Sequence, residues 1–127
     1  MGRWATRPWN SDIAADWCWE MMEKTGLAKH VEETLHREIE DAFPGDADEI
    51  RAAAAVLLLL GHHYVWPVDD LERHLNLAIA RLEEILAKDY GGSCNEQIQA
   101  EISALKSRLK ETGLNRPERV KWWHFDE

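Results

Sequence analysis

The most restrictive feature of this sequence is a run of apolar residues, AAAAVLLLL, at positions 52–60. The run is about half as long as the roughly 20 apolar residues that a membrane-spanning helix needs. A helix that is apolar on all sides has to be covered by other elements of the protein. The run therefore predicts a central buried helix over about residues 46–61.

Amphipathic segments on both sides of this run predict four further helices. Their apolar residues recur at positions three and four apart, which is the spacing of one helical face. Capping residues and Gly or Pro stops set the expected bounds. We expect helices over about 12–25, from Leu27 to the stop at Pro44-Gly45, over 46–61 with an Asp46–Glu49 capping box, from Asp69 or Asp70 to the turn at 89–92, and from Ser93 to Gly113.

No segment alternates with period two for long enough to predict a strand. The predicted fold is all-α: a five-helix bundle around the central apolar helix, in a single domain over residues 1–127. Residues 1–11 form an irregular arm in this prediction. Residues 114–127 form a tail with Trp122, Trp123 and Phe125, and such large apolar side chains predict that the tail docks on the body of the domain.

Charge and composition limit the classes of partner and the location. The chain carries 15 basic and 24 acidic residues, a net charge of −9, which disfavours nucleic acid and favours a basic protein partner. The two cysteines have no metal-binding spacing and form no disulfide scaffold. No export signal is visible near residue 1, so we expect a cytoplasmic protein without a membrane span. The sequence leaves the oligomeric state open.

Tryptophans and aspartates near the N-terminus form the first candidate binding group. The group of Trp4, Trp9, Trp17 and Trp19 could line an aromatic pocket. We favour instead that Trp4, Trp9 and Trp17 anchor the arm to the bundle, because tryptophans are more often core residues. Trp19 lies off the main stripe, where it is either partly exposed or meets the C-terminal tail. Asp12 and Asp16 lie four residues apart, which places both carboxylates on one helical face. They either form an acidic site for a cation or basic partner, or they serve as a helix cap and a local hydrogen-bond acceptor.

A second candidate group follows the central helix. His62 and His63, with Trp66 nearby, could form a metal or acid-base site with a neighbouring carboxylate. The simpler interpretation is that one imidazole caps the end of the helix while the other faces solvent. Glu33 and His36 have the spacing of half a di-iron motif, but no second copy is present, so we assign no metal and no cofactor.

The opening Met-Gly-Arg-Trp, the Pro8-Trp9 pair and the run from Ala14 to Trp17 resemble domain-of-unknown-function family 4259, small bacterial proteins that begin Met-Gly-x-Trp-Gly. The resemblance covers roughly residues 1–112. Ala5 and Arg7 stand where that family usually has glycine. The resemblance implies a bacterial origin and, by the habit of such families, a role as an immunity or interaction partner.

Several common catalytic motifs are absent from the sequence, including HExxH, GxxxxGK[ST] and GxSxG. We therefore favour a non-enzymatic interaction module of the immunity or inhibitor type over an enzyme, and assign no catalytic residue. The alternative is a small metal-dependent enzyme or ligand-binding protein that uses the loop of His62, His63 and Trp66.

Overall fold

The computed structural model describes residue 8 and the ranges 11–40 and 45–125, and for 113–125 it describes the backbone alone. The described residues form helices and connecting turns, which confirms the all-α class. The elements are α1 (Asp12–Thr25), α2 (Leu27–Leu35), α3 (Asp46–Leu60), α4 (Val68–Ala87) and α5 (Asn95–Phe125), with a 3-10 turn over Gly92–Cys94 before α5.

Helix α1 begins and ends as its capping residues predict. The Ser11 hydroxyl accepts a hydrogen bond from the backbone N–H of Ala14 at 3.2 Å, which satisfies one free donor of the first turn. Gly26 ends the helix at φ 62°, and its N–H donates to the Met22 carbonyl. Glycine adopts this left-handed conformation at low cost, so the chain turns directly into α2.

Helix α2 is shorter than predicted, because it ends at Leu35 and does not continue to Pro44-Gly45. The Arg37 N–H bonds to the Thr34 carbonyl, and the Arg81 guanidinium of α4 donates to the Arg37 carbonyl at 2.7 Å. Helix α4 thus supplies a donor for a carbonyl that follows the end of α2. Ile39 still packs partly buried against the core although it is no longer helical.

The predicted capping box at the start of α3 is wrong. Gly45 is the N-cap and makes no side-chain cap. The Asp46 carboxylate instead accepts from the backbone N–H of Glu40 at 2.8 Å, and Glu49 forms an ion pair with Arg37. Both carboxylates thus connect α3 to the segment that follows α2. Spacing within α3 does not predict such contacts with another part of the chain.

Helices α3 and α4 share the centre of the bundle. As predicted, α3 contacts several helices, namely α2, α4 and α5, and Ile50 and Leu57 are fully buried on it. It is not covered on all sides, however, because Leu59 is 74% exposed. Helix α4 contacts α2, α3 and α5 and contributes the longest buried stripe, which consists of Leu71, His74, Leu75, Ala78, Ile79, Leu82 and Ile85.

Helix α5 packs along α4 through Ile98, Ile102 and Leu105. Its predicted end at Gly113 is wrong, because the backbone stays helical to Phe125. One glycine costs only about 1 kcal/mol in a helix interior relative to alanine, which is too little to end a long helix. The helical range also includes Pro117, although a proline costs about 3 kcal/mol in a helix interior. The predicted docking of the tail concerns side chains outside those that the structure describes.

Polar contacts connect α5 to α3 at two positions along the helices. Arg51 and Glu101 form a bidentate pair, with Nε–Oε1 at 3.0 Å and Nη2–Oε2 at 2.7 Å. Arg108 donates to the carbonyl of Gly61, the residue that follows α3, at 2.9 Å. A cation at this position also interacts favourably with the negative end of the helix dipole. The body of the bundle is therefore held by α2, α3, α4 and the first half of α5.

Candidate functional site

The most unusual surface feature lies on α1, where three large apolar side chains are exposed. Ile13 is 85%, Trp17 64% and Trp19 60% exposed. Burying a side chain of this size is normally worth roughly 1.5–3 kcal/mol, so its exposure leaves a favourable interaction unused. Single exposed apolar residues are common on protein surfaces, but a group of them on one helix is a candidate binding surface.

Three carboxylates accompany these side chains. Asp16, Glu20 and Glu23 are exposed and follow each other at spacings of four and three residues, which places them in one strip along α1. At 100° per residue this strip lies between Trp17 on one side and Trp19 on the other. We call Ile13, Asp16, Trp17, Trp19, Glu20 and Glu23 together the α1 face.

The opposite side of α1 holds the helix on the bundle. Met22 is buried, and Cys18 and Met21 are partly buried against the core. Burial also raises the pKa of the Cys18 thiol, which keeps it protonated and unreactive. Within the part of the chain that the structure describes, α1 packs on α2 alone. The α1 face is therefore uncovered by the described helices.

This arrangement corrects one prediction about the tryptophans. Trp17 is exposed and does not anchor the arm in the core, because the buried side of α1 is that of Cys18 and Met22, about 100° or more around the helix. Of the predicted acidic pair, Asp16 belongs to the α1 face and Asp12 is partly buried in the first turn. Trp4 and Trp9 lie outside the described residues.

The second predicted group, the loop after α3, is organised around a buried indole. The backbone N–H groups of Val65 and Trp66 both donate to the His62 carbonyl, and Tyr64 takes a left-handed conformation at φ 73°. This turn directs Trp66 into the core, where it is 2% exposed. An indole in this position is not available to stack on a ligand.

Trp66 belongs to a chain of hydrogen bonds that connects the loop with α4 and α2. Its indole N–H donates to Nδ1 of His74 at 3.0 Å, and Nε2 of His74 lies 3.1 Å from Oε1 of Glu32. Because an indole nitrogen only donates, Nδ1 of His74 must be the acceptor and the proton resides on Nε2. The neutral imidazole therefore donates to the Glu32 carboxylate.

Glu32 lies at the surface end of this chain, where it also pairs with Arg73. Hydrogen bonds from Arg73 and His74 lower the pKa of the Glu32 carboxyl to about 2. Asp70 holds the same guanidinium at 2.7 Å, so the arginine is fixed from two sides. The chemical role of this network is to lock α2, α4 and the loop together, since the indole N–H and both imidazole nitrogens are used within the protein.

The two histidines of the loop are both partly buried, so neither points fully into solvent as the simpler interpretation required. At the end of α3, Arg108 binds the Gly61 carbonyl. Over the described ranges, no group of three His, Cys, Asp or Glu side chains is arranged to hold a metal ion. Of the three residues predicted to form this site, the structure leaves the two histidines partly exposed and buries Trp66.

Sequence reasoning missed the partnership of Glu32 with His74. It selected Glu33 and His36 for their spacing, but both side chains are exposed, and the adjacent Glu32 makes the tertiary contacts. The position on the helix could have identified Glu32. Glu32 lies beside the buried stripe of α2 that faces the bundle, next to Val31, whereas Glu33 points away from that stripe. His74 lies in the apolar stripe of α4 in the same way.

No family model, curated protein or solved structure matches this chain. The resemblance to family 4259 therefore stays a prediction that rests on its N-terminal residues. None of the helices in the described ranges has both the length and the apolar character that a membrane crossing requires.

Proposed function

We propose that this protein is a non-enzymatic interaction module whose α1 face binds a basic protein partner. The observation that carries the proposal is the exposure of Trp17 and Trp19 on either side of the acidic strip of α1. Tryptophan is enriched among residues that dominate binding energy. A cytoplasmic bacterial protein of the immunity or inhibitor type, as the resemblance implies, would use such a face to cover a basic site on its target.

The chemistry of the face favours lysine or arginine side chains. An ammonium or guanidinium group binds over an indole ring by a cation–π interaction, and its charge pairs with a carboxylate beside the ring. On α1 the Glu20 carboxylate lies three residues from Trp17, and the Asp16 carboxylate lies three residues from Trp19, so each indole has a carboxylate beside it on the helix surface. A partner helix or loop with alternating basic and apolar residues can contact both the indoles and the carboxylates of the α1 face.

The net charge of the protein also favours a basic partner. At −9 the protein attracts basic partners over a distance of about one Debye length, roughly 8 Å at physiological salt. Association with such a partner should therefore accelerate at low ionic strength. Acidic proteins and nucleic acids are repelled by the same field.

The network of Trp66, His74 and Glu32 serves the proposed function indirectly. It fixes α2 to α4 through the contacts of Glu32 with Arg73 and His74. Helix α1 joins α2 at Gly26 and packs on it, so the network holds the helix on which α1 rests.

The proposal is tested with a fluorescein-labelled amphipathic peptide of leucine and lysine, titrated with the full chain and followed by anisotropy. We expect saturable binding that weakens as salt rises, and no binding of the corresponding leucine–glutamate peptide. Trp17→Ala should weaken binding about 30-fold, which corresponds to about 2 kcal/mol.

Leu59→Ala is the matched control, because Leu59 is equally exposed but lies on α3. It should leave the affinity unchanged. Equal losses for Trp17→Ala and Leu59→Ala would mean that the peptide binds exposed apolar surface without preference. Binding of the acidic peptide would likewise exclude the proposed role.

A further inference from the structure

Part of the α1 face forms a regular line along the helix. Four exposed residues follow one another at spacings of three, four and three, namely Ile13, Asp16, Glu20 and Glu23. These spacings place side chains on one side of a helix, and they are also the spacings of the contact line between two packed helices. At 1.5 Å per residue the line is roughly 15 Å long. We call these four residues the α1 seam.

The two exposed tryptophans border the α1 seam on opposite sides. Trp17 follows Asp16 and Trp19 precedes Glu20, so each indole lies about 100° around the helix from a seam carboxylate, in opposite directions. In a heptad, these are the positions beside the contact line. The face therefore has charges along its centre and apolar rings at its edges. Ordinary pairs of helices have the reverse pattern, with an apolar line between charged edges.

The carboxylates of the α1 seam are not neutralised by the described part of the protein. In the bundle, Glu49 and Glu101 each pair with an arginine. No described residue forms an ion pair with a carboxylate of the α1 seam. Asp16 and Glu20 lie four residues apart, a spacing at which like charges destabilise a helix. Positive charges of a partner, placed along the α1 seam, remove this repulsion.

A helix fits the α1 seam better than an extended segment does. Residues at spacings of three and four recur on average about every 5.3 Å along a helix axis, so a second helix stays in step with the α1 seam. On one face of a strand, side chains recur about every 6.7 Å, so an extended segment places only about three side chains along the same line. The described residues also contain no strand whose edge such a segment could join.

We propose that the partner of the α1 face is a helix of inverse pattern, with lysine or arginine along its contact line and apolar side chains on both sides of that line. Its basic groups pair with the carboxylates of the α1 seam, and its apolar side chains pack on the indoles of Trp17 and Trp19. An ordinary amphipathic helix would cover the carboxylates with apolar groups, which costs free energy because they lose water without gaining a partner. This inference rests on the proposed function, since it assigns a fold and a residue pattern to the basic partner of the same site.

The test measures binding of the full chain to three labelled peptides by fluorescence anisotropy, at peptide concentrations low enough to prevent self-association. The seam peptide is three heptads long, with lysine at a and d, leucine at e and g, and alanine or glutamine elsewhere. Its isomer exchanges the lysines and leucines and so keeps composition and charge. The third peptide is the seam peptide with a proline in its central heptad, which interrupts the helix. We expect the isomer and the proline peptide to bind at least about tenfold more weakly than the seam peptide.

Variants of the protein test the same contact from the other side. Glu20→Gln removes the central charge of the α1 seam and should weaken binding of the seam peptide about fivefold. Glu33→Gln is the matched control, because Glu33 is equally an exposed glutamate but lies on α2, and it should leave the affinity unchanged. A seam peptide with glutamate in place of lysine should bind only the variant Asp16→Lys, Glu20→Lys, Glu23→Lys. Circular dichroism of each variant checks that helix content is retained.

The outcomes distinguish this inference from the proposed function. Equal binding of the seam peptide and its isomer, or undiminished binding of the proline peptide, would overturn the inverse-pattern helix but leave a basic partner for the α1 face. Equal effects of Glu20→Gln and Glu33→Gln, or no binding of the charge-exchanged pair, would overturn it as well. If none of the lysine-containing peptides binds, the proposed function is rejected together with the inference.

Discussion

The hydrogen bond between Trp66 and His74 provides the most quantitative test of how this fold is held together. Trp66→Phe removes the indole N–H and leaves Nδ1 of His74 without its donor in a site where the imidazole is fully buried. An unsatisfied buried acceptor costs about 1–3 kcal/mol. The smaller ring adds about 1 kcal/mol for the volume it leaves empty. We therefore expect a loss of about 2–4 kcal/mol.

The partner substitution, His74→Leu, creates the reverse defect. The Trp66 N–H then has no acceptor, at a similar cost of about 1–3 kcal/mol, while Glu32 keeps its pair with Arg73. In the double variant neither polar group remains, so the penalty for an unsatisfied group is absent. The double variant should be more stable than the sum of the single losses predicts, by about 1–3 kcal/mol.

Urea unfolding followed by far-UV circular dichroism measures these free energies, since a domain of this size is expected to unfold in two states. The control pair is Trp66→Phe with Trp17→Ala, because Trp17 is exposed on α1. Their effects should add within about 0.5 kcal/mol. If the losses from Trp66→Phe and His74→Leu also add, the two side chains are not coupled and the proposed lock between the loop, α4 and α2 is refuted.

Three further predictions follow from single contacts. The pKa of Glu32 is lowered from 4.5 to about 2, so its stabilising effect is complete above pH 4.5 and is lost as the pH falls to about 2. Because solvent screens the exposed Arg73, Glu32→Gln should remove only about 1 kcal/mol of stability at pH 7. The variant should also reduce the change of the urea midpoint between pH 4.5 and about pH 2. Glu101→Ala breaks the bidentate pair with Arg51 and should cost about 1–3 kcal/mol by the same assay, whereas Glu83→Ala, which breaks the exposed pair with Lys106, should cost less than about 1 kcal/mol. Gly61→Ala places a Cβ 2.4 Å from the Leu57 carbonyl oxygen and should lower the thermal unfolding midpoint by the equivalent of about 1–3 kcal/mol, an expectation that an unchanged midpoint would contradict.

Local sequence signals predict most of the helix bounds. Helix α1 starts and ends at its predicted residues because Ser11 and Gly26 act through contacts within a few positions. The end of α2 could not be predicted in this way. The segment that follows Leu35 makes tertiary contacts instead, such as the bond from Arg81 of another helix to the Arg37 carbonyl.

In the candidate site, too, the sequence predicts which residues are neighbours on a helix but not which side of the helix is buried. Helical spacing places Asp16, Glu20 and Trp17 on neighbouring positions of α1, and the sequence alone reveals this group. It does not reveal which side of the helix is buried. That outcome depends on where α2 lies, since α1 has apolar residues on both sides, Met22 toward the body and Trp17 away from it.

The buried histidine gives a third example. His74 sits in the apolar stripe of α4, where a titratable side chain needs partners to be buried. Sequence identifies the need but not the partners, because Trp66 and Glu32 come from a loop and from another helix. Contacts between residues that are distant in sequence become predictable only when the packing of the helices is known.

The central claim is that the α1 face is the binding surface, and the tryptophan indole signals in a ¹⁵N-resolved NMR spectrum of the full chain test it most directly. Addition of the leucine–lysine peptide should shift the signals of Trp17 and Trp19, which are exposed on α1. The signal of Trp66, which is buried and bound to His74, should stay unchanged. Assignment by single Trp→Phe substitutions makes the comparison specific. Shifts at Trp66 without shifts at Trp17 and Trp19 would contradict the claim and place binding at the loop after α3.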